Sequence, residues 1–131
     1  MRKAVTSALV IFMCIFVFAG CGGNTLEDRI GYNARRELCQ QALNSSSEYK
    51  SYFSDVKLDI YENHVTFKYY LKENMSSEET KIFKSYVQSS FFESGMEDIK
   101  DSIETSWGIR PSTLTFAIYK PDGTLIISVD K

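Results

Sequence analysis

From Thr25 onward the apolar positions keep two different periods in turn. Leu26, Ile30, Ala34, Leu38 and Ala42 recur every fourth residue, which places them on one face of a helix. Thr25 followed by Asp28 reads as its capping box. Gly31 costs such a helix about 1 kcal/mol relative to alanine, so a shorter helix beginning near Asn33 is the alternative. Asn44-Ser45-Ser46-Ser47 breaks the pattern, and Glu48 to Phe53 adds a further turn or two. The period then drops to two in Val56-Lys57-Leu58-Asp59-Ile60-Tyr61 and in Val65-Thr66-Phe67-Lys68-Tyr69-Tyr70-Leu71, with turn chemistry at Glu62-Asn63-His64. This predicts a hairpin. A loop at Asn63-His64 sets Ile60 opposite Phe67, Leu58 opposite Tyr69, Val56 opposite Leu71 and Asp59 opposite Lys68. The register shifted by two keeps the same faces but sets Lys57 against Lys68, and like charges directly across are destabilising. The first register is therefore expected.

Ser76-Ser77-Glu78-Glu79 opens a helical stretch as a capping box. Its apolar stripe runs through Ile82, Phe83, Tyr86, Val87, Phe91, Phe92, Met96, Ile99, Ile103 and Trp107, about thirty residues in all. Ser94-Gly95 marks a bend or break, Gly108 stands where a C-cap belongs, and Pro111 stops continuation. Thr113 to Tyr119 and Thr124 to Asp130 form a second hairpin around Lys120-Pro121-Asp122-Gly123. A four-residue loop sets Ile118 opposite Leu125, Phe116 opposite Ile127 and Leu114 opposite Val129. A three-residue loop with a glycine bulge would align Phe116 with Ser128 instead. The order helix, hairpin, helix, hairpin predicts an α+β domain, with a four-stranded antiparallel sheet carrying its helices on one face.

Residues 1–20 do not belong to that fold. Met1-Arg2-Lys3 is a basic start, an apolar run ends near Phe18, and the small Ala19 and Gly20 precede Cys21, the layout of an export signal. The run is short of the roughly 20 apolar residues a transmembrane helix needs. Phe18-Ala19-Gly20-Cys21 resembles the lipobox of bacterial lipoproteins, with Phe where Leu is usual, and the resemblance implies a diacylglycerol on the Cys21 thiol. Two acyl chains anchor stably where one binds marginally. The expected division is a signal at 1–20, a lipidated Cys21 and short tether at 21–24, and one extracytoplasmic domain at 25–131. Losing Arg2 and Lys3 takes Lys+Arg from 15 to 13 against 17 Asp+Glu, moving the net charge from −2 to −4. No stretch clusters enough lysine and arginine to track phosphates, which argues against a nucleic-acid binder.

Taken together, the lipobox, the short helix, the hairpin Val-x-Leu-x-Ile-Tyr-Glu-Asn-x-Val-x-Phe-x-Tyr, the long helix and the terminal Tyr-Lys-Pro-Asp-Gly-Thr-x-Ile hairpin resemble the small Gram-positive lipoproteins with a C-terminal domain of unknown function. The resemblance covers the whole mature chain and implies a protein held on the outer face of the cell membrane. It carries over no catalytic residue.

Catalytic chemistry is sparse along the chain. His64 is the only histidine and stands at a turn, so neither a histidine-paired metal site nor a Ser-His-Asp triad with a choice of bases is assembled. Isolated glycines offer no phosphate loop, which argues against nucleotide binding. Glu93, Glu97, Asp98, Asp101 and Glu104 follow helical spacing around Lys100, as on a solvated face. No metal or cofactor is therefore expected. Of the three cysteines, Cys14 lies in the signal and Cys21 at the anchor, leaving Cys39 as a small core hydrophobe or a bridge between two copies. Strand parity sets Tyr61, Tyr70, Tyr119 and Ile126 away from Leu58 and Phe116. Tyrosine offers large contact area at low entropic cost, which makes these four the candidate interaction face. The reading is a non-catalytic, membrane-anchored module for a protein or cell-envelope ligand. The alternatives are an envelope protein dimerising through Cys39 and an enzyme acting on cell-wall material.

Overall fold

The computed structural model describes residues 23–44 and 47–131. The expected signal with Cys14 and the expected lipobox with Cys21 lie outside the described residues. Three helices come first: α1 (Leu26–Arg29), α2 (Tyr32–Asn44) and α3 (Ser47–Tyr52). Strands β1 (Phe53–Tyr61) and β2 (His64–Leu71) follow, then α4 (Ser77–Val87), α5 (Ser90–Trp107), β3 (Thr113–Tyr119) and β4 (Leu125–Asp130). No helix among the described residues is long and apolar enough to cross a membrane.

The four-residue apolar spacing forms two helices rather than one. Thr25 caps α1 by accepting from the Asp28 N–H, and the chain leaves the helix at Ile30 before Gly31. Ser76 and Glu79 make the reciprocal capping box of α4, each side chain bonding the other's backbone N–H. The helical stretch breaks at Gln88–Ser89, not at Ser94-Gly95. Ser89 caps α5 by accepting from the Phe92 N–H at 3.3 Å, and its hydroxyl donates to the Tyr86 carbonyl at 2.6 Å. That break lets Phe83 and Val87 of α4 join Phe92, Met96 and Ile99 of α5 in one core. Gly108 ends α5 at φ 77°, the left-handed conformation that glycine adopts without penalty.

The domain is α+β, as expected, but its sheet is mixed. Strand order is β1-β2-β3-β4, with β1–β2 and β3–β4 antiparallel and the central β2–β3 pair parallel. The expected all-antiparallel sheet is corrected by the length of the crossover. An 18-residue helix is about 27 Å long, whereas a seven-residue strand spans about 23 Å. One such helix after α4 returns the chain to the end of the sheet where β2 began, so β3 starts beside His64 and runs the same way.

Both hairpin registers also differ from expectation by two residues, with their core faces unchanged except at the second turn. In the first, Leu58 pairs with Phe67, Ile60 with Val65 and Lys57 with Lys68. The charge clash that argued against this register is relieved sideways. Lys68 Nζ bonds Asp59 at 2.5 Å, and Lys57 Nζ lies 5.2 Å from the Tyr70 ring centroid, where the ring's negative face attracts it. In the second hairpin Phe116 pairs with Val129 and Ile118 with Ile127, then a bulge sets Tyr119 against Leu125.

The core lies between the sheet and the helices. Phe67 and Phe116 stack across the parallel pair at 5.4 Å, Tyr69 stacks on Phe116 at 5.8 Å, and Phe92 of α5 meets Phe116 edge-on at 5.7 Å. Each such ring pair adds about 0.5–1.5 kcal/mol beyond the area it buries. Helix α2 packs along β1, with Leu38 and Ala42 buried.

Candidate functional site

The sheet's outward positions begin at the β1–β2 turn and climb towards the β3–β4 turn. At the lower end Tyr61 pairs with His64, and the His64 ring bonds the Thr113 hydroxyl. The Thr115 hydroxyl donates to Asp130 at 2.7 Å, Asp59 and Lys68 form their ion pair, and Ala117 is buried between larger neighbours. The Asp59 carboxylate, by accepting its hydrogen bond, holds the Lys68 ammonium above its usual range. At the upper end Tyr70 and Tyr119, register partners across the parallel pair, stack at 5.0 Å with 17° between their planes.

The four residues singled out from parity therefore do not make one row. Tyr70 and Tyr119 meet. Tyr61 sits six β2 residues below Tyr70 by register, about 20 Å away. Ile126 is the extra residue of the bulge. It is half-buried and packed against the core, while Leu125, half-exposed, takes the place beside Tyr119. The three-residue loop with a glycine bulge is not formed either: Phe116 pairs with Val129 rather than Ser128, and the bulged residue is Ile126.

Beyond Leu125 the surface opens into a cleft of about 500 Å³ between the start of α4 and the β3–β4 turn, lined by Lys81, Lys84 and Lys120 with Met75, Leu125 and Ile126 among its apolar residues. None of the three lysines has an ion-pair partner among the described residues. Three ammonium groups, one of them, that of Lys120, near the Asp122 carboxylate, line the cleft with apolar residues and make a surface suited to an anionic ligand with a flat or apolar part. Sequence reading missed this cleft. Lys81 and Lys84 stand one turn apart on a helix, but nothing in the chain pattern says that Lys120 joins them.

Four of the five α5 carboxylates, all but Asp98, are held in ion pairs. Arg110 bonds Glu97 and Asp101 and reaches Glu104 at 3.4 Å, while Lys131 bonds Glu93 and approaches Glu97 at 3.8 Å. No group of three or more metal-ligating side chains occurs among the described residues. Cys39 is half-buried on α2, and its thiol is pushed up to about 11 by burial and by the nearby Asp55 and Asp59 carboxylates. A thiol that stays protonated at neutral pH is a poor nucleophile for disulfide formation.

No family model, curated protein or solved structure matches the chain. The functional reading rests on residues and geometry alone.

Proposed function

We propose that the chain is a lipid-anchored extracytoplasmic module that binds an anionic ligand of the cell envelope and performs no catalysis on it. The observation that carries the binding reading is the stacked Tyr70–Tyr119 pair, with Lys57 over one ring and, past the Leu125 that pairs with Tyr119, the lysine-lined cleft. Anchoring is supported by the basic start, apolar run and Phe18-Ala19-Gly20-Cys21, because small residues before the cysteine are what lipid transfer and cleavage require. The mature chain is acidic overall, so a local excess of cations marks one place where a polyanion is attracted rather than repelled.

The test uses the full chain in its own membranes, with a photo-reactive residue placed at Leu125 or, as control, at Ile82, which is similarly exposed on α4. An adduct with anionic envelope material at Leu125, diminished by Tyr70→Ala and by Lys81→Glu with Lys84→Glu, supports the reading. Equal adducts at both positions, or none at either, overturn it.

A further inference from the structure

We propose that the end of the domain carrying α1 and the β1–β2 turn rests on the bilayer, with Tyr32 and Tyr61 in the headgroup layer, so that the strands stand away from the membrane and the Tyr70–Tyr119 end points outward. This rests on the anchored reading above. It is carried by three observations.

The first is the shortness of the leash. Gly23 is already part of the fold: its carbonyl accepts from Arg29 Nε at 2.8 Å, and Arg29 Nη1 donates to the Trp107 carbonyl at 2.7 Å. Gly23 has φ 88°, and a Cβ there would fall 2.3 Å from Asp28 Cβ, so a side chain at this position is not accommodated. The short tether expected at 21–24 thus has Gly23 already bonded to the domain. Two residues of extended chain reach at most about 7 Å, which is all that separates Cys21 from the domain.

The second is that this same end is tightly assembled. The Leu26 N–H donates to Asn63 Oδ1 at 3.0 Å, the Glu27 N–H to the Glu62 carbonyl at 3.0 Å, and the Glu62 N–H back to Glu27 Oε1 at 2.8 Å. The attachment point and the β1–β2 turn therefore move as one piece.

The third is where exposed aromatic surface lies. Tyr32 and Tyr61, 77% and 68% exposed, are the two most exposed large hydrophobic side chains among the described residues. Tyr61 ends β1 at the turn. Tyr32 begins α2, which runs antiparallel to β1: Leu43 near the end of α2 lines a cleft with Phe53 at the start of β1, and Cys39 lies beside the Leu58 backbone. From Cys39 back to Tyr32 the helix rises about 10 Å, and from Leu58 on to Tyr61 the strand advances about 10 Å. The two rings are thus level with each other at the anchored end. Tyrosine, apolar in body and polar at its tip, is the residue type that settles at a membrane–water interface.

Glu27, Asp28 and Glu62 share this end with His64 and with Arg29, Arg35 and Arg36, so the charges balance and contact depends on the rings.

The experiment reconstitutes the full chain, purified from membranes, into phosphatidylethanolamine–phosphatidylglycerol vesicles with or without brominated acyl chains. Tyr61→Trp, Tyr32→Trp and Lys120→Trp variants are each compared with the parent, whose Trp107 is buried. Loss of the added emission in brominated vesicles for Tyr61→Trp and Tyr32→Trp, with none for Lys120→Trp, is the expected result. Equal loss in all three, or loss confined to Lys120→Trp, overturns the orientation. Intact mass reads the anchor separately: a diacylglyceryl increment absent from Cys21→Ser supports it. If the increment is missing while the quenching pattern holds, the lipid reading falls and the orientation stands. A chain that leaves the vesicles altogether removes both.

Discussion

The two hairpin turns are built on opposite terms. The β1–β2 turn, Glu62-Asn63, is held from outside: Asn63 caps the Leu26 N–H through its side chain, and its carbonyl accepts from the Ser112 N–H at 2.8 Å. Glu62 sits at φ 52°, a left-handed conformation uncommon for a residue with a Cβ, and keeps it because α1 bonds both its N–H and its carbonyl. The β3–β4 turn holds itself. Asp122 accepts from the Thr124 N–H at 2.9 Å, the Gly123 N–H donates to the Lys120 carbonyl at 2.9 Å, and Gly123 at φ 90° needs no help. A turn stabilised locally depends on its own residues alone; one stabilised by the rest of the chain is fixed to the helix that holds it.

The strongest way to break the contrast is to remove what both hairpins share. Phe116→Ala deletes the ring that contacts Phe67, Tyr69 and Phe92, at a cost of about 3–5 kcal/mol, and a single cooperative transition in urea, with both hairpins melting together, is the expected outcome. Asn63→Ala leaves the half-buried Leu26 N–H without its acceptor and costs about 1–3 kcal/mol, with amide exchange rising first in α1. Asp59→Asn takes away the carboxylate that separates Lys57 from Lys68. The pair is largely exposed, so thermal melting registers under about 1 kcal/mol, and the loss shrinks in high salt. Asp122→Ala, the matching change at the self-held and exposed turn, shifts thermal melting least of the four. Should Asp122→Ala cost more than Asn63→Ala, the contrast between the turns is wrong.

Cys39 gives a pH-dependent check on α2 against β1. Its folded thiol is raised from 9.0 to about 11, so between those values the unfolded chain releases a proton that the folded chain keeps. The unfolded state then binds fewer protons, and stability falls as pH rises through that window. Denaturant midpoints of the parent should decline more steeply there than those of Cys39→Ser, and alkylation of the native thiol at neutral pH should be slow.

Much of the fold was legible because it is local. Ser76 with Glu79, Thr25 with Asp28, and Gly108 act within a few residues of themselves, and alternation assigned Val56, Phe67, Tyr69 and Phe116 to the core side whatever the register. The failures share one cause. The Glu62-Asn63 turn, the Lys57–Lys68 opposition and the parallel central pair each depend on partners 30 or more residues away, or on a neighbour across the strand such as Tyr70. Pairwise charge repulsion was a sound argument for an isolated hairpin, and it lost once each lysine had another partner. The candidate site divided on the same line. Tyr70 and Tyr119 were found by parity; their stacking, the separation of Tyr61, the displacement of Ile126 and the cleft of Lys81, Lys84 and Lys120 were not.

By itself, then, the sequence determined periodicity, caps and faces, since those follow from side-chain spacing and from hydrogen bonds closed within a turn. It also carried the basic start, apolar run and cysteine on which the anchoring proposal rests. Only the tertiary structure decided strand direction, register and which end of the sheet each exposed ring occupies. Those depend on where a crossover of fixed length delivers the chain and on which distant groups satisfy a turn's backbone, and neither distance is written in any local stretch of residues.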